Sequence, residues 1–379
     1  MYRQGVDKLD QLVAAIDGCD RVLWRRRRTP RERLTALLAA GYDLDTGGSD
    51  DLVRMLETRV AGLLGKPAAA FFPTGTMAQQ VALRCWAERT GSKTVAMHPI
   101  AHPEVHERDA LTSLTGLRAV HPTVAPRPVT AAEVAALDEP FGTLMLELPL
   151  RDAGFLLPSW PELAAAVQAG RERDAIVHFD GARIWECTAH LGRGLAEIAA
   201  LADSVYVSFY KSLGAMSGAA LAGPADFIAE AKAWRHRYGG QAVGQLPFAL
   251  DALTGLDTEL PRLPSYVTHA AVLAEAMRNA LADALPWSRV WPVPPHTHQF
   301  AVWLPFGPDV LSDAALRQAK EARTSVFAFW QETAIPGVSK TEVTVAGPAM
   351  AWTGQQTEAA VRDFASYLPG CEGLSSVSS

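Results

Sequence analysis

Residues 203–223 read DSVYVSFYKSLGAMSGAALAG. The alternating, β-branched and aromatic run from Ser204 to Phe209 predicts a β-strand, because such residues at a period of two suit a pleated sheet. Lys211 follows at once and leads into a turn of glycine, serine and alanine. We therefore expect a strand that delivers a lysine to its carboxyl end, with space beside the amine for a bulky ligand.

A lysine at a strand end can be a nucleophile. Its amine attacks carbonyl groups only when it is deprotonated, so lysines that form Schiff bases need burial or nearby positive charge to lower their pKa. Ser208 adds a hydroxyl three positions before Lys211. The alternative is a solvated or structural lysine, and other stretches of the chain must decide between the two.

The composition is that of a globular protein. The 379 residues are 49% hydrophobic and 20% charged, and a chain of this length holds about two or three domains. The formal net charge of −6 disfavours nucleic-acid binding, with Arg25–Arg28 as a local exception. The 4 cysteines are scattered, which fits neither a disulfide framework nor a zinc site. A charged amino terminus and the lack of a long apolar run predict a soluble, cytoplasmic protein without membrane contact.

The order of predicted elements indicates an α/β protein. Strands are predicted at Ala68–Phe72, Thr94–Met97, Arg118–His121, Thr143–Leu148, Ala175–Phe179 and Ser204–Phe209. Helical segments lie between them, and this alternation predicts a mostly parallel sheet with helices on both faces and ligands at the carboxyl ends of its strands.

Four segments are expected along the chain. Residues 1–45 form a helical extension and arm, and residues 46–260 form the large α/β domain. Near residue 260 the alternation of strands and helices gives way to one long helix and then a proline-rich stretch. This change predicts a small α+β domain over residues 261–370. Residues 371–379 are expected to be a flexible tail.

The segment PTGTMAQQ, residues 73–80, lies where a predicted strand ends and a helix begins. Gly75 and Thr76 can present free backbone N–H groups and the positive end of the helix dipole to a phosphate. The alternative is an ordinary turn in which a threonine caps the helix.

The segment IVHFDGARIWE, residues 176–186, places Asp180 after an apolar strand. A carboxylate there can pair with a protonated heterocycle nitrogen and keep the ring cationic; the alternative is a cap for the next helix. Arg183 is either a clamp for a ligand oxyanion or a surface arginine.

The loop AMHPIAHPEVHERD, residues 96–109, contains His98, His102, His106 and Glu107. The histidines are spaced four and four through two prolines, so we expect neither one helical face nor a metal site. A histidine that stacks on an aromatic ring and is held by an acid is the preferred interpretation, and a plain polar loop is the alternative.

Together with Lys211, these loops resemble the threonine aldolase and β-eliminating lyase family, which are pyridoxal-phosphate enzymes of the aspartate-aminotransferase fold, fold type I. The similarity covers roughly residues 41–260. The similar motifs are GYDLDTGGSDDLVRMLE (41–57), FFPTGTMAQQVAL (71–83), HPEVHE (102–107), LELPLRDAGF (146–155), HFDGARIWE (178–186) and SFYKSLGAMSGAALAG (208–223). Several matches in one order are more specific than any single motif.

The resemblance implies a role for each candidate residue. Lys211 forms a Schiff base with the cofactor, Asp180 pairs with its pyridine nitrogen, and His102 stacks on its ring; these three are the catalytic candidates. The other cofactor-binding candidates are Gly75, Thr76 and Ser208 at the phosphate and Arg183 at the substrate carboxylate or the ring oxygen. The expected activity is retro-aldol cleavage of a β-hydroxy-α-amino acid to glycine and an aldehyde. The alternatives are β-elimination or other Cα chemistry, transfer included, and a cofactor-binding protein with little turnover.

Two departures from the family pattern affect the substrate. Where the family shows Asn-Thr-His, with a histidine that assists at the β-hydroxyl, this chain has Leu148, Pro149 and Leu150. Where the family has an arginine for the substrate carboxylate, this chain has Thr341 or Glu342.

The resemblance also bears on assembly. Sites of this fold are shared between subunits, so we expect a homodimer or homotetramer, although the basic phosphate contact expected from a neighbouring subunit is missing from residues 235–245. By order, residues 23–30 correspond to a segment across the mouth of the family's site. We hypothesise that one of Arg25–Arg28 joins Arg183 in binding the substrate carboxylate; the alternative is a solvated strip.

Overall fold

The computed structural model describes residues 2–24, 28–44 and 48–371. The chain divides into two compact units, one of residues 29–264 and one that combines residues 1–28 with residues 265–379. The division near residue 264 lies close to the boundary expected after residue 260. Residues 1–28 group with the carboxyl-terminal residues, whereas the sequence suggested a separate extension over residues 1–45.

The helices and strands follow one another in the order expected of an α/β chain. The helices are α1 (Tyr2–Asp17), α2 (Pro30–Leu38), α3 (Ser49–Leu63), α4 (Gly75–Thr90), α5 (His102–Val105), α6 (Ala110–Thr115), α7 (Ala131–Ala135), α8 (Trp160–Arg171), α9 (Thr188–Leu191), α10 (Leu195–Ala200), α11 (Ala225–Arg237), α12 (Leu246–Thr258), α13 (Leu263–Ala284), α14 (Pro308–Glu321) and α15 (Gly354–Ser366). The strands are β1 (Arg21–Val22), β2 (Ala68–Phe72), β3 (Thr94–Ala96), β4 (Arg118–Val120), β5 (Thr143–Glu147), β6 (Ile176–Asp180), β7 (Ser204–Ser208), β8 (Ala219–Gly223), β9 (Arg289–Trp291), β10 (Gln299–Leu304), β11 (Thr324–Ser325), β12 (Gln331–Glu332) and β13 (Ser339–Thr344).

The larger unit contains a seven-stranded sheet, which has the order β2-β8-β7-β6-β5-β3-β4 in the described part of the chain. Strands β3 to β7 pair in parallel, and β8 runs antiparallel to both of its neighbours, β2 and β7. Because two reversals cancel, β2 has the same direction as β7. The carboxyl ends of β2, β3, β5, β6 and β7 therefore meet at one edge, where ligands bind in sheets of this kind.

The helix that follows β2 begins with a standard cap. The Thr74 hydroxyl accepts a hydrogen bond from the Met77 backbone N–H at 3.3 Å, and Gly91 ends the helix in the left-handed conformation with φ of 69°. Helices α3, α4, α8 and α11 pack against the sheet. Strands β5, β6 and β7 are almost entirely buried, which explains why most of their residues are apolar.

The smaller unit has a four-stranded antiparallel sheet of order β12-β13-β10-β9. Strand β1 pairs in parallel with β11, and α1 packs against α14, which places the amino-terminal helix in this unit. Its apolar core joins Leu12 and Ile16 of α1 to Phe300, Phe327 and Phe364.

The six strands predicted up to residue 209 all form, with ends that move by at most one residue. Strand β8 was not predicted. Cys371, expected to begin the flexible tail, is buried, and residues 372–379 lie outside the described part of the chain. Within the described residues, no helix has the length and apolar character needed to span a membrane.

Candidate active site

The register of the parallel strands aligns the polar residues at the sheet edge. Glu147 at the end of β5 is the partner of Asp180 at the end of β6, and Asp180 is the partner of Tyr206 in β7. Lys211 follows the end of β7 by three residues. The predicted lysine and carboxylate therefore belong to neighbouring strand ends, together with a second carboxylate that the sequence did not single out.

Asp180 is buried, with 1% of its surface exposed. One carboxylate oxygen accepts the Ala182 backbone N–H at 3.1 Å, and the other has no hydrogen-bond partner among the described residues. A buried carboxylate oxygen normally finds a donor, so an unsatisfied one at a strand end marks a place for a ligand N–H.

Lys211 has the electrostatic environment of a nucleophile. Burial, and next the positive charge of Arg183, lower the pKa of its amine to about 8 against the opposing charges of Asp180 and Glu147. A larger fraction of the amine is therefore neutral near neutral pH than for a solvated lysine. These interactions also show that Arg183, Asp180 and Glu147 lie within electrostatic reach of Lys211.

Arg183 is largely buried against an aromatic ring. Its guanidinium carbon lies 5.3 Å from the ring centroid of Phe155, and its Nε atom has no hydrogen-bond partner in the described residues. Phe155 is itself fully buried and has a φ of 61°, a left-handed conformation that costs energy for an aromatic residue. The loop after β5 accepts this strain and holds the ring against the guanidinium.

Helix α4 presents its first turn at the same sheet edge. Because Thr74 caps the Met77 N–H, the backbone N–H groups of Gly75 and Thr76 are the first-turn donors without an intrahelical acceptor. A side chain at Gly75 would collide with the Tyr206 hydroxyl, so glycine is required where the helix starts. Gly75 and Thr76 thus occupy the positions expected of anion-binding residues.

His102 is held at its backbone and at its ring. Its backbone N–H donates to Glu147 Oε2 at 2.9 Å, and its ring Nδ1 lies 3.4 Å from Glu107 Oε1. Glu107 is in turn fixed by Gln80, whose amide donates to Oε2 at 2.8 Å. The expected pairing of a histidine with an acid is present in this geometry.

The other histidines of this loop separate into two kinds. His98 is buried, with its ring engaged by the backbone of Ala125 at 2.8 Å and of Ile100 at 3.1 Å, which is a structural role. His102 begins the short helix α5 and His106 follows its last residue, with the two ring centroids 5.3 Å apart. The three histidines therefore do not share one helical face, although one turn of helix brings two of them together. The described residues contain no group of three or more potential metal ligands.

Glu147 is a site residue that sequence reasoning did not identify. Its carboxylate accepts the backbone N–H of His102 and, at 3.2 Å, that of Arg151. Burial, and next the negative charge of Asp180, raise the pKa of Glu147 to about 7. The sequence feature that could have identified Glu147 is its position in the Leu-Glu end of a predicted strand. When β5 and β6 are neighbours, that position pairs with Asp180.

A second unexpected residue lies beneath Asp180. His178 is fully buried, with Nδ1 2.7 Å from the Ser204 hydroxyl and Nε2 2.7 Å from the Gln79 amide oxygen. The Gln79 amide oxygen only accepts, so Nε2 carries the proton of the neutral imidazole and Nδ1 accepts from the Ser204 hydroxyl, which itself accepts the Trp86 indole N–H at 2.8 Å. Burial lowers the pKa of His178 to about 4. A neutral imidazole therefore lies on the strand of Asp180 without competing for its carboxylate.

The predicted phosphate contact of Ser208 differs in the structure. The Ser208 hydroxyl donates to the Ala182 carbonyl at 2.9 Å, which links the ends of β6 and β7 and uses its only proton. Residues Arg25–Arg27 of the proposed carboxylate clamp lie outside the described residues.

The groups at the sheet edge fit pyridoxal phosphate. An unsatisfied buried carboxylate oxygen suits a protonated pyridine nitrogen, a lysine of lowered pKa suits an aldehyde, and the first turn of α4 suits a phosphate. One chain therefore supplies a partner for the ring nitrogen, the aldehyde and the phosphate of that cofactor.

The sheet and the polar groups at its carboxyl edge define a pyridoxal-phosphate-dependent enzyme of fold type I. A solved structure from Listeria monocytogenes EGD-E, provisionally assigned as an L-allo-threonine aldolase, superposes with a TM-score of 0.85 at 31% identity and covers 95% of this chain and 100% of its own. The threonine aldolase of Leishmania major has the same fold, with a TM-score of 0.65 at 16% identity over 91% of this chain and 98% of that one.

The chain belongs to the β-eliminating lyase family, whose sequence model matches residues 30–286. The low-specificity L-threonine aldolase of Escherichia coli K12 is 33% identical over 271 residues, which are 68% of this chain and 78% of that protein. Low-specificity L-threonine aldolase 1 of Arabidopsis thaliana is 29% identical over 259 residues, 64% of this chain and 71% of the relative. The chain is thus a pyridoxal-phosphate-dependent lyase of the threonine aldolase type, as its sequence motifs predicted.

Proposed function

We propose that this lyase cleaves the Cα–Cβ bond of a β-hydroxy-α-amino acid and releases glycine and an aldehyde. The observation that carries the proposal is the unpartnered, buried oxygen of Asp180 within electrostatic reach of a lysine whose pKa is lowered to about 8. The activity printed for the relatives in Escherichia coli and Arabidopsis thaliana supports the choice of reaction.

The proposed roles follow from the contacts of each residue. When bound, pyridoxal phosphate supplies an electron sink for the negative charge that develops at Cα. Asp180 keeps the proton on the ring nitrogen, because a buried carboxylate without another donor favours a cationic partner. Lys211 attaches the cofactor and afterwards holds or returns a proton at its amine.

The remaining site residues bind and orient. Gly75 and Thr76 receive the phosphate at the first turn of α4. Ser208, the last residue of β7, is proposed to lie near the same phosphate. His102 covers the ring face, with its imidazole oriented by Glu107. Arg183, held against Phe155, is the proposed partner of an oxyanion on substrate or ring.

β-Elimination is the second candidate, and one observation favours it. The loop after β5 carries Leu148, Pro149 and Leu150 where the family places a histidine that assists at the β-hydroxyl, and both leucines are buried. An apolar wall there gives no direct help in removing a hydroxyl proton, and a leaving group lost as an anion needs none.

The two reactions leave different products. The loaded enzyme would be incubated with L-threonine, L-allo-threonine, L-serine and larger β-hydroxy amino acids, with Lys211→Ala as the inactive control. Cleavage gives glycine and an aldehyde in equal amounts, whereas elimination gives a 2-oxo acid and ammonia. A 2-oxo acid without glycine from every substrate would reject the proposed reaction in favour of elimination.

The assembly and the cellular location stay predictions. A homodimer or homotetramer follows from the shared sites expected of fold type I, and light scattering on the loaded enzyme would measure it. The cytoplasmic location expected from the amino-terminal sequence requires cell fractionation.

A further inference from the structure

Cleavage of a β-hydroxy amino acid requires a group that takes the proton of the β-hydroxyl. In this chain the three residues after Glu147 are apolar and cannot do so. The next residues of that loop are Arg151 and Asp152, and Asp152 contacts a histidine of a different segment. The loop thus brings a histidine to the sheet edge through an ion pair instead of carrying one itself.

His106 and Asp152 form a short, oriented pair. His106 Nε2 lies 2.6 Å from Asp152 Oδ2, and because a carboxylate only accepts, Nε2 carries the proton. In the neutral imidazole Nδ1 is then the acceptor, and no described residue makes a hydrogen bond to it. The pair has the arrangement of a general base: a free ring nitrogen, with the opposite nitrogen held by a carboxylate.

The position of the pair is fixed relative to the other site residues. The His106 ring lies 5.3 Å from the ring of His102, whose backbone is bonded to Glu147 at the end of β5. The Arg151 guanidinium lies 3.4 Å from His106 Nε2, and because Nε2 donates its proton to Asp152, this is a charge contact and not a hydrogen bond. The same guanidinium charge lowers the pKa of the Lys211 amine. His106 is therefore a neighbour of the proposed ring-stacking histidine, and Arg151 connects it electrostatically to Lys211.

We propose that His106, oriented by Asp152, is the base that takes the β-hydroxyl proton. As the proton moves to Nδ1, the O–H electron pair becomes the second bond of the aldehyde carbonyl, and the Cα–Cβ pair remains with Cα. Cα then receives a proton from the Lys211 ammonium, and His106 returns its proton to water. The inference rests on the proposed cleavage reaction, and it replaces the histidine that is absent after β5.

The competing explanation is an exposed ion pair that only joins two loops, since 35% of the His106 side chain and 21% of the Asp152 side chain are exposed. The chain provides a matched control for that explanation. His121 pairs with Glu104 at 3.0 Å, the His121 side chain is likewise 35% exposed, and Glu104 belongs to the same helix α5. His121→Gln removes an equivalent pair without touching His106.

The test separates deprotonation of the hydroxyl from all earlier steps. His106→Gln, Asp152→Asn, His121→Gln and the parent are loaded with pyridoxal phosphate and compared in three measurements. These are the visible spectrum of the bound cofactor, the exchange of the glycine Cα proton with deuterated water by NMR, and kcat for cleavage. Glycine has no β-hydroxyl, so its exchange reports cofactor, lysine and substrate amine but not the proposed base.

We expect His106→Gln to lower kcat for cleavage by about 100-fold, which is typical of the loss of a general base, with glycine exchange and spectrum within about twofold of the parent. Asp152→Asn is expected to lower kcat by about tenfold, because the imidazole loses its orienting carboxylate. His121→Gln should match the parent in all three measurements.

The outcomes distinguish the role of His106 from the reaction itself. Equal cleavage by His106→Gln and parent, or an equal loss of cleavage and glycine exchange, overturns the role of His106 alone. A parent that exchanges glycine but cleaves no β-hydroxy amino acid overturns the proposed function, and the role of His106 with it.

Discussion

The carboxyl of Glu147 makes the stability of the larger unit depend on pH in a direction unusual for an acid. Burial and the neighbouring Asp180 raise its pKa from 4.5 to about 7. An acid with a raised pKa favours the protonated folded state, so its contribution is complete below pH 4.5 and is lost as pH rises through 7. The shift corresponds to about 3 kcal/mol of unfolding free energy at most.

Glu147→Gln should abolish this loss, because the amide does not ionise. The variant has a constant offset from changed hydrogen bonds to His102 and Arg151, but the difference between variant and parent should grow in favour of the variant by about 2–3 kcal/mol between pH 4.5 and 7.5. Urea unfolding of the cofactor-free protein at several pH values and one protein concentration measures this difference. Keeping below pH 7.5 limits the contribution of Lys211, whose pKa is about 8.

Glu133→Gln is the control, because the pKa of Glu133 is lowered by folding whereas that of Glu147 is raised. Its hydrogen bonds with Arg127 hold the pKa of Glu133 well below the usual value, so its titration lies under the pH range of the assay. The Glu133 difference should stay flat from pH 4.5 to 7.5. A flat line for Glu147→Gln as well would refute the account of its raised pKa.

Three further outcomes are expected. Borohydride reduction of the loaded enzyme should place the cofactor label on the peptide that contains Lys211, and a label on another lysine would contradict the assignment. Asp180→Asn should retain the cofactor by equilibrium dialysis but lose at least about 100-fold in kcat, because an amide cannot keep the ring nitrogen protonated. Gly75→Ala should weaken cofactor binding by at least about tenfold through collision with Tyr206, whereas Gly62→Ala, with open space around its Cα, should bind as the parent does.

The sequence was sufficient for the parallel part of the sheet. β5, β6 and β7 are buried and consist mostly of apolar, β-branched and aromatic residues, so their position along the chain can be read directly. β8 was missed because AALAG lacks the β-branched and aromatic residues that mark a strand. Its extended conformation comes from pairing with β2 and β7. Leu221 pairs with Ala70, 151 residues earlier in the chain, and with Tyr206, 15 residues earlier.

The site was predictable as a set of strand ends but not as a set of contacts. Lys211 and Asp180 were predicted as site residues because each stands at or just after the end of a recognisable strand. The raised pKa of Glu147 depends on the alignment of β5 with β6, and the pairing of His106 with Asp152 depends on two loops 46 residues apart. Long-range register of this kind leaves no local pattern in a single sequence.

Strand β8 separates the two strands that lead to the proposed phosphate and amine positions. It lies between β2, which leads into the first turn of α4, and β7, which leads to Lys211. Two strand spacings separate β2 from β7 by about 10 Å. Helices α3, α4 and α11 all pack against β8. Its small alanine and glycine residues allow these helices to approach closely. A bulky residue in β8 would therefore displace these helices, α4 with its proposed phosphate-binding turn among them, and so change cofactor binding from a strand that supplies none of the proposed ligand contacts.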